Sequence, residues 1–519
     1  MAHNRVNLIN FIRAVEPRLP MDLLGTLQEQ IALVRRHRLP ATWLIQYDAL
    51  VDPQYVRLLK EALDGTQEIG IWFEVVQPLV EDAGLPWRGR YPWDWHANVG
   101  FSIGYTPEQR RRLADVFMER FHRTFGYYPR SAGSWFWDAP LLEYLGSRYG
   151  IVAACNCKDQ WGTDGYTLWG GYYHHGYYPS RQNAFMPAQH AGAQIPVPVF
   201  RMLGSDPIYQ YDAADNGNGQ EVITLEPVYT GAEGGGGVPE WERWYFDTNF
   251  NAPQFSCGYT QVGQENSFGW EKIRDGLTDQ ITLLAQKQAE GVLTVETLGD
   301  TGAWFRSTYP VTPAAAIYAL KDWRNLGNQS IWFYNRFYRA NLFLEGSFFR
   351  IRDLHLFRET YPERYLTAVC DSASCVYDTL PIMDGGQWSA PGLQPGIMPM
   401  LQQEDGLWAP APVSSILPRK LDEDSLEVTL QLSCRRTLTL CLTERAISFR
   451  MEGGRWGLRL LWGEAATQIT AWDSRLTYCH NGYAYAMTLQ GARLTPIVRH
   501  GAAHILDAAA EQDSLTLSL

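Results

Sequence analysis

Along the first two thirds of the chain the hydrophobic positions keep switching period. "VNLINFI" (6–12) is largely apolar, as a strand covered on both faces must be, whereas "MDLLGTLQEQIALVRRHR" (21–38) carries its apolar residues at helical spacing. "ATWLIQY" (41–47) reads as a second strand, and a helix follows over 53–65, with Gly65 placed to end it. "EIGIWFEV" (68–75) is a third strand. The helix over 106–126 opens with a Thr cap, Pro107 at its first position and Glu108 in its first turn. The strand "SAGSWFW", the helix "APLLEYLGSRYG" and the strand "IVAACNC" come next. Further on, "QIPVPVFRML", "QEVITLEPVY", "FSCGYTQV" and "VLTVETL" read as strands and residues 270–291 as a helix. Strand–helix repetition of this kind predicts an α/β fold with a parallel sheet that closes, or nearly closes, into a barrel.

Beyond about residue 345 the period drops to two. "SLEVTLQLS", "RTLTLCLT", "AISFRME", "GLRLLWG" and "YAYAMTLQG" alternate apolar and polar positions between turn signals, which predicts antiparallel strands in a sandwich. The expected division is therefore a barrel domain over 1–345 and a β-rich domain over 346–519, with residues 335–366 as a partly helical bridge. A length of 519 residues agrees, since it exceeds a single core.

Two insertions interrupt the barrel pattern, residues 77–105 with "GLPWRGRYPWDWH" and 159–194 with "DQWGTDGYTLWGGYYHHGYYPSRQN". Both follow strand ends, the face on which parallel barrels carry their sites, and long loops of this kind are usually functional. Composition narrows what they could hold. A net charge of −12 argues against nucleic acid or an anionic membrane surface as partner. No apolar run approaches the roughly 20 residues of a spanning helix, and the first residues lack a secretory signal, so a cytoplasmic protein is expected. The eight cysteines form no CxxC pair and read as reduced, buried thiols. The 20 Trp, 28 Tyr and 21 Phe supply flat rings with polar edges, which suit the faces of sugars. "GAEGGGG" (231–237) lacks a following GK[ST] and reads as a flexible loop, not a phosphate cradle.

Ionisable residues recur at the strand ends: Arg13 and Glu16, Asp48, Glu74, Asp138, Asp159 and Asp164, then Asp206, Glu226, Glu265 and Glu296. Paired carboxylates are what glycoside cleavage requires, one as proton donor and one as nucleophile or base. Each also has a structural reading. Glu74 could be salt-bridged, Asp138 could cap the helix beginning at Ala139–Pro140, and Arg13 could pair with Glu16.

The segments "HRLPATWLIQYDAL", "EIGIWFE" and "FGYYPRSAGSWFWDAPLLEYLGSRYGI" resemble the strand order of the polysaccharide deacetylase and glycoside hydrolase superfamily, which includes the family 57 and family 38 glycosidases. The chain is also similar to a bacterial family of that superfamily in which a β-domain follows the barrel. The resemblance implies a (β/α)7-type barrel followed by an antiparallel β-sandwich. It also exposes departures. Deacetylases carry an Asp-Asp pair after strand one, where this chain reads "NFIRAVEPR", and HxxxH after the third strand, where it has Trp72 and Val76. Family 57 glycosidases use two carboxylates and no metal, and Glu74, Asp138 and Glu265 are the candidates for those roles. Without the metal ligands, the expected function is a glycoside hydrolase on small oligosaccharides, with no cofactor. Arg13, Glu16, Asp48, Asp94, His96, Asp159 and Asp164 would hold hydroxyls, and Trp72, Trp93, Trp95, Trp135 and Trp161 would form stacking walls. The rival expectations are a metal-dependent deacetylase with a rebuilt ligand set, using for instance His96 and Asp164, and a sugar-binding protein without turnover.

Overall fold

The computed structural model describes residues 4–211, 222–250, 255–464, 466 and 468–519, with the side chains of 161–163 outside that description. The chain divides into two compact units. The first comprises Met1–Asn251, Cys257–Thr312 and Glu359–Asp378; the second comprises Ala252–Ser256, Pro313–Arg358 and Thr379–Leu519.

The first unit is built from β1 (Arg5–Ile12), α1 (Leu23–His37), β2 (Ala41–Ile45), α2 (Tyr47–Val51), α3 (Pro53–Ala62) and β3 (Gln67–Trp72). The chain continues through α4 (Gln77–Asp82), α5 (Ala97–Gly100), α6 (Pro107–Phe125), β4 (Ser131–Gly133), α7 (Ala139–Tyr149) and β5 (Ala153–Asn156). Next come β6 (Gln160–Thr163), β7 (Tyr166–Leu168), β8 (Gly176–Tyr177), β9 (Val199–Arg201), α8 (Pro239–Phe250) and β10 (Tyr259–Val262). The last elements before the second unit are α9 (Trp270–Ala289), β11 (Thr294–Glu296) and α10 (Leu298–Thr308). Seven strands lie parallel in the order β10-β1-β2-β3-β4-β5-β9, giving the (β/α)7-type barrel; β8 pairs antiparallel with β9, and β11 pairs with β1. Strands buried on both faces account for the near-continuous apolar runs, and α1 packs on α9 and α6 on α7 to cover them.

Local signals set the helix ends. Thr106 and Gln109 close a capping box on α6, and Gly126 ends it at a φ of +85°. Helix α3 stops at Ala62 with Leu63 as its cap, short of Gly65. The stretch expected as a strand over 220–229 is irregular where described, with an isolated bridge between Thr224 and Ser205. Pro227 has no N–H to give a ladder, and the neighbouring amides close turns instead, as from Tyr229 to the Glu226 carbonyl.

The second unit is antiparallel, with an eleven-stranded and an eight-stranded sheet. In the strand Leu426–Leu432 residues 426, 428, 430 and 432 are buried and those between them are not, as period two requires. The expected partly helical bridge is instead the strands Tyr338–Glu345 and Phe348–Leu356, paired as a hairpin that turns at Gly346. The strands Ala315–Ala319 and Gln329–Tyr334 pair with them, so the division falls after Thr312 and not at 345. No helix among the described residues is long and apolar enough to cross a membrane.

Candidate active site

Register brings β1, β2 and β3 to one level, and the residue following each faces its neighbours. Arg13 follows β1, Gln46 follows β2 and donates its backbone N–H to the Ile12 carbonyl, and Glu74 stands two residues beyond β3. Arg13 is fully buried, with its guanidinium 4.1 Å from the Trp93 ring centroid. Its Nη2 donates to both Glu74 oxygens at 3.1 and 3.0 Å. Glu74 also accepts from Gln46 Nε2 at 2.8 Å, Trp72 Nε1 at 2.9 Å and Trp135 Nε1 at 2.5 Å. Every partner donates, so these contacts select the carboxylate; burial raises its pKa, with Arg13 and the two indoles opposing. Trp72 is pinned in turn by stacking on Phe11, 4.0 Å between centroids. Glu74 has no face left for a ligand.

The other guanidinium nitrogen, Nη1, lies 3.3 Å from Glu265 and 3.8 Å from Glu16. Glu265 reaches this position because the chain turns just after β10 at Gly263, whose φ is +119° and whose Cβ, if it had one, would meet the Ile9 carbonyl oxygen at 1.9 Å. Asn266 then locks the two segments together, accepting from the Arg13 backbone N–H and donating to the Arg13 carbonyl, both at 2.9 Å.

Glu265 forms part of the wall of a cavity of about 560 Å³ at this end of the strands. The same wall holds the carboxylates of Glu16, Asp164, Glu226 and Glu233, the cations Arg18 and Lys272, and the rings of Trp135, Tyr166, Tyr229 and Phe268. Trp135 and Tyr166 lie nearly parallel, at 26° and 6.1 Å. Burial pushes the Glu265 carboxyl up to about 7, Arg13 opposing and the charges of Glu74 and Asp164 adding to the rise. Arg18 binds both oxygens of Glu16 and one oxygen of Asp164, at 2.8 Å, while its own charge lies over Trp93 and Trp95. Burial raises Glu16, but the Arg18 bonds and the two arginine charges outweigh it and hold that carboxyl below its usual range. Asp164 has a left-handed backbone, φ +46°, at the turn between β6 and β7. A carboxyl that keeps its proton near neutrality thus shares one cavity with an ion-paired carboxylate and stacked rings.

Of the residues singled out in the sequence, the structure brings Glu16, Trp135, Asp164, Glu226 and Glu265 to this wall, with Arg13 directly behind it. It does not bring Asp138 there. Asp138 caps α7 by accepting from the Leu141 N–H, accepts from Ser102 Oγ and pairs with Arg110 at 3.2 Å, all of it buried. Asp48 accepts three backbone N–H bonds, from Ala14, Val15 and Ala49, and burial pushes it up to about 7 against them. Asp94 is bound by Arg90 and the His96 N–H, and His96 stands just before α5 without a side-chain capping bond. Asp159 is buried against Arg201 and Gln210. Trp72 and Trp93 are fully buried supports for Glu74 and Arg13, Trp95 stacks on Tyr91, and the Trp161 side chain lies outside the described residues. The sequence reading passed over Arg18, Tyr166, Tyr229, Phe268 and Lys272. For Tyr229 the available signal was the stretch from Glu226 through the glycine loop, which holds too many polar and glycine residues for a strand.

The metal cage that the deacetylase resemblance implies does not fit these residues. The two HxxxH positions are a stacked Trp72 and a buried Val76, and a guanidinium already occupies the level where the carboxylates converge. Among the described residues no group of three or more His, Cys, Asp and Glu side chains is arranged to hold a metal ion.

No family model matches the chain, and no curated protein matches it. Solved structures do. A protein from Parabacteroides distasonis assigned as a glycoside hydrolase/deacetylase is similar over 74% of this chain and 90% of its own, at 18% identity and a TM-score of 0.47. A Mycobacterium smegmatis protein assigned as a polysaccharide deacetylase is similar over 59% and 91%, at 12% identity and 0.36. A family 57 branching enzyme from Thermococcus kodakaraensis, solved with glucose, is similar over 59% and 71%, at 10% identity and 0.30.

Proposed function

We propose that the first unit is a glycoside hydrolase acting on short oligosaccharides in the cavity beside Trp135 and Tyr166. The observation that carries this reading is the position of Glu265, a buried carboxyl on the cavity wall that shares the cavity with Asp164 and whose burial pushes it up to about 7. Such a group can donate a proton to the glycosidic oxygen as the C1–O bond breaks. Asp164 is the second carboxylate. Its Oδ1 is held by Arg18, and its side chain faces the same cavity, placed to attack C1 or to take a proton from the water that does. Glu16 is less suited, because Arg18 binds both its oxygens. The rings and the cavity volume suit a ligand of one to a few sugar units.

The test is turnover of a panel of di- and trisaccharide glycosides by the native chain and by Glu265→Gln and Asp164→Asn. Native turnover lost in both variants supports the assignment. Full activity in either variant removes that residue from the chemistry, and tight binding with no native turnover makes the cavity a binding site only.

A further inference from the structure

Glu74 meets the requirements of a support and not of a catalyst, and what it supports is a cation aimed at the cavity. We propose that Arg13 and Glu74 form a positioning pair for Glu265, with Glu74 anchoring one edge of the guanidinium so that the opposite nitrogen, Nη1, faces the proton donor. This rests on the assignment of Glu265 as donor.

Three observations carry it. First, the guanidinium is divided between two tasks: Nη2 is consumed by Glu74, and Nη1 points to Glu265 and Glu16. Second, it cannot withdraw. Trp93 covers its face, Asn266 ties the Arg13 backbone to the residue after Glu265, and Glu74 is itself held by Gln46, Trp72 and Trp135. Third, the contact toward the cavity is close but unsaturated. Nη1 of Arg13 and Oε2 of Glu265 are both buried, lie 3.3 Å apart, and among the described residues neither completes an aligned hydrogen bond. A donor that has just lost its proton leaves a carboxylate, and that carboxylate would find a donor already in place.

The pair works through opposed charges. A bare Arg13 would strip the proton from Glu265 at too low a pH, and a bare Glu74 would hold it too long. Further charges face Glu265 from other elements: Glu16 and Arg18 after β1, and Asp164 on the β6–β7 hairpin. Glu226 and Tyr229 before the glycine-rich loop, Glu233 on it and Lys272 on α9 line the same cavity. None of these residues is itself substituted, and Glu16, which also feels the Arg13 charge, is followed in the same titration, so shifts of opposite sign at Glu265 isolate the pair.

The experiment is a carbon-13 NMR titration of protein labelled at the glutamate side-chain carboxyl, with the Glu265 signal identified by its loss in Glu265→Gln. It needs no substrate, so it can fail while the hydrolase reading stands, and the reverse. Glu74→Gln is expected to lower the Glu265 midpoint by a pH unit or more. Arg13→Lys, whose single ammonium cannot span both carboxylates, is expected to raise it. Where a glycan substrate has been found, the alkaline limb of kcat moves with the midpoint. Should a variant fail to fold, unsubstituted protein labelled with nitrogen-15 in arginine carries the test: a slowly exchanging guanidinium signal follows the Glu265 midpoint and stops doing so in Glu265→Gln. A Glu265 midpoint that stays put in the folded variants, or the lack of any such guanidinium signal, overturns the proposal.

Discussion

Glu74 and Glu265 touch the same guanidinium from two sides, and they are opposites. Glu74 takes five hydrogen bonds and is sealed beneath stacked rings, whereas Glu265, among the described residues, has Arg13 as its one close cation and a cavity beside it. Burial and charge are similar for both; the number of donors is not. A buried carboxylate whose lone pairs are all used is part of the framework. One with unsatisfied capacity, in contact with open space, is available for chemistry. The sequence set the two side by side as candidates for the same chemistry, and the Trp72 indole two residues before Glu74 is one of the donors that close it off.

The contrast breaks most directly under two substitutions. Glu265→Gln is expected to lower kcat on a cleaved glycan by about 10²–10⁴-fold, the usual contribution of a positioned acid. Glu74→Ala acts on stability: it leaves Arg13 buried without its main partner, at a cost of about 3–5 kcal/mol in urea unfolding. Were Glu74→Ala instead to fold as well as the native chain and lose turnover, the roles given to the two residues would have to be exchanged.

How much of this was legible follows from what a strand encodes. The parallel barrel could be read because strands buried on both faces must be apolar along their length, and helices carry their own caps, as in "TPEQ" before α6. The level at which residues of different strands meet could not be read. Register is a tertiary property, so nothing in "FIRAVEPR" states that Arg13 faces Glu74 across 61 positions, or that Asn266 holds its backbone. The hairpin at 338–356 was misread because its strands are buried on both faces, and the period-two signal fades there. The glycine-rich stretch posed the opposite difficulty. Gly231 and Gly234 line the cavity without a side chain, leaving only composition as a sign.

A smaller effect tests the environment of Glu265 without any substrate. Its carboxyl is raised to about 7 in the folded chain from its ordinary value near 4.5, so between those values the folded state holds a proton that the unfolded state has released. Stability from this group is therefore greatest below about pH 4.5, declines as pH rises, and is fully lost above about pH 7, a difference on the order of 3 kcal/mol. Glu265→Gln removes the titration. The variant should unfold at higher urea than the native chain at pH 8 and lose that advantage toward pH 5. A native chain whose stability rises through that window by an amount that Glu265→Gln abolishes would mean that Arg13 outweighs burial, and Glu265 would be an anchored carboxylate like Glu74.

The smallest effect concerns Asp138, which the sequence offered as a proton donor and the structure places at the start of α7. Two contributions can be separated there. Asparagine keeps the acceptor that caps the Leu141 N–H but gives up the charge facing Arg110, whereas alanine gives up both. Arg110 retains the carbonyls of Ser102, Tyr105, Tyr365 and Ala368, so its charge is not abandoned when Asp138 is replaced. Asp138→Ala is expected to cost about 2 kcal/mol, a capping bond plus part of a buried pair, and Asp138→Asn about 1 kcal/mol. Neither should change kcat, because no atom of Asp138 reaches the cavity wall. Turnover that disappears in Asp138→Asn while the melting curve barely moves would put the reacting sugar on the Ser102 side of the barrel mouth, away from Glu265.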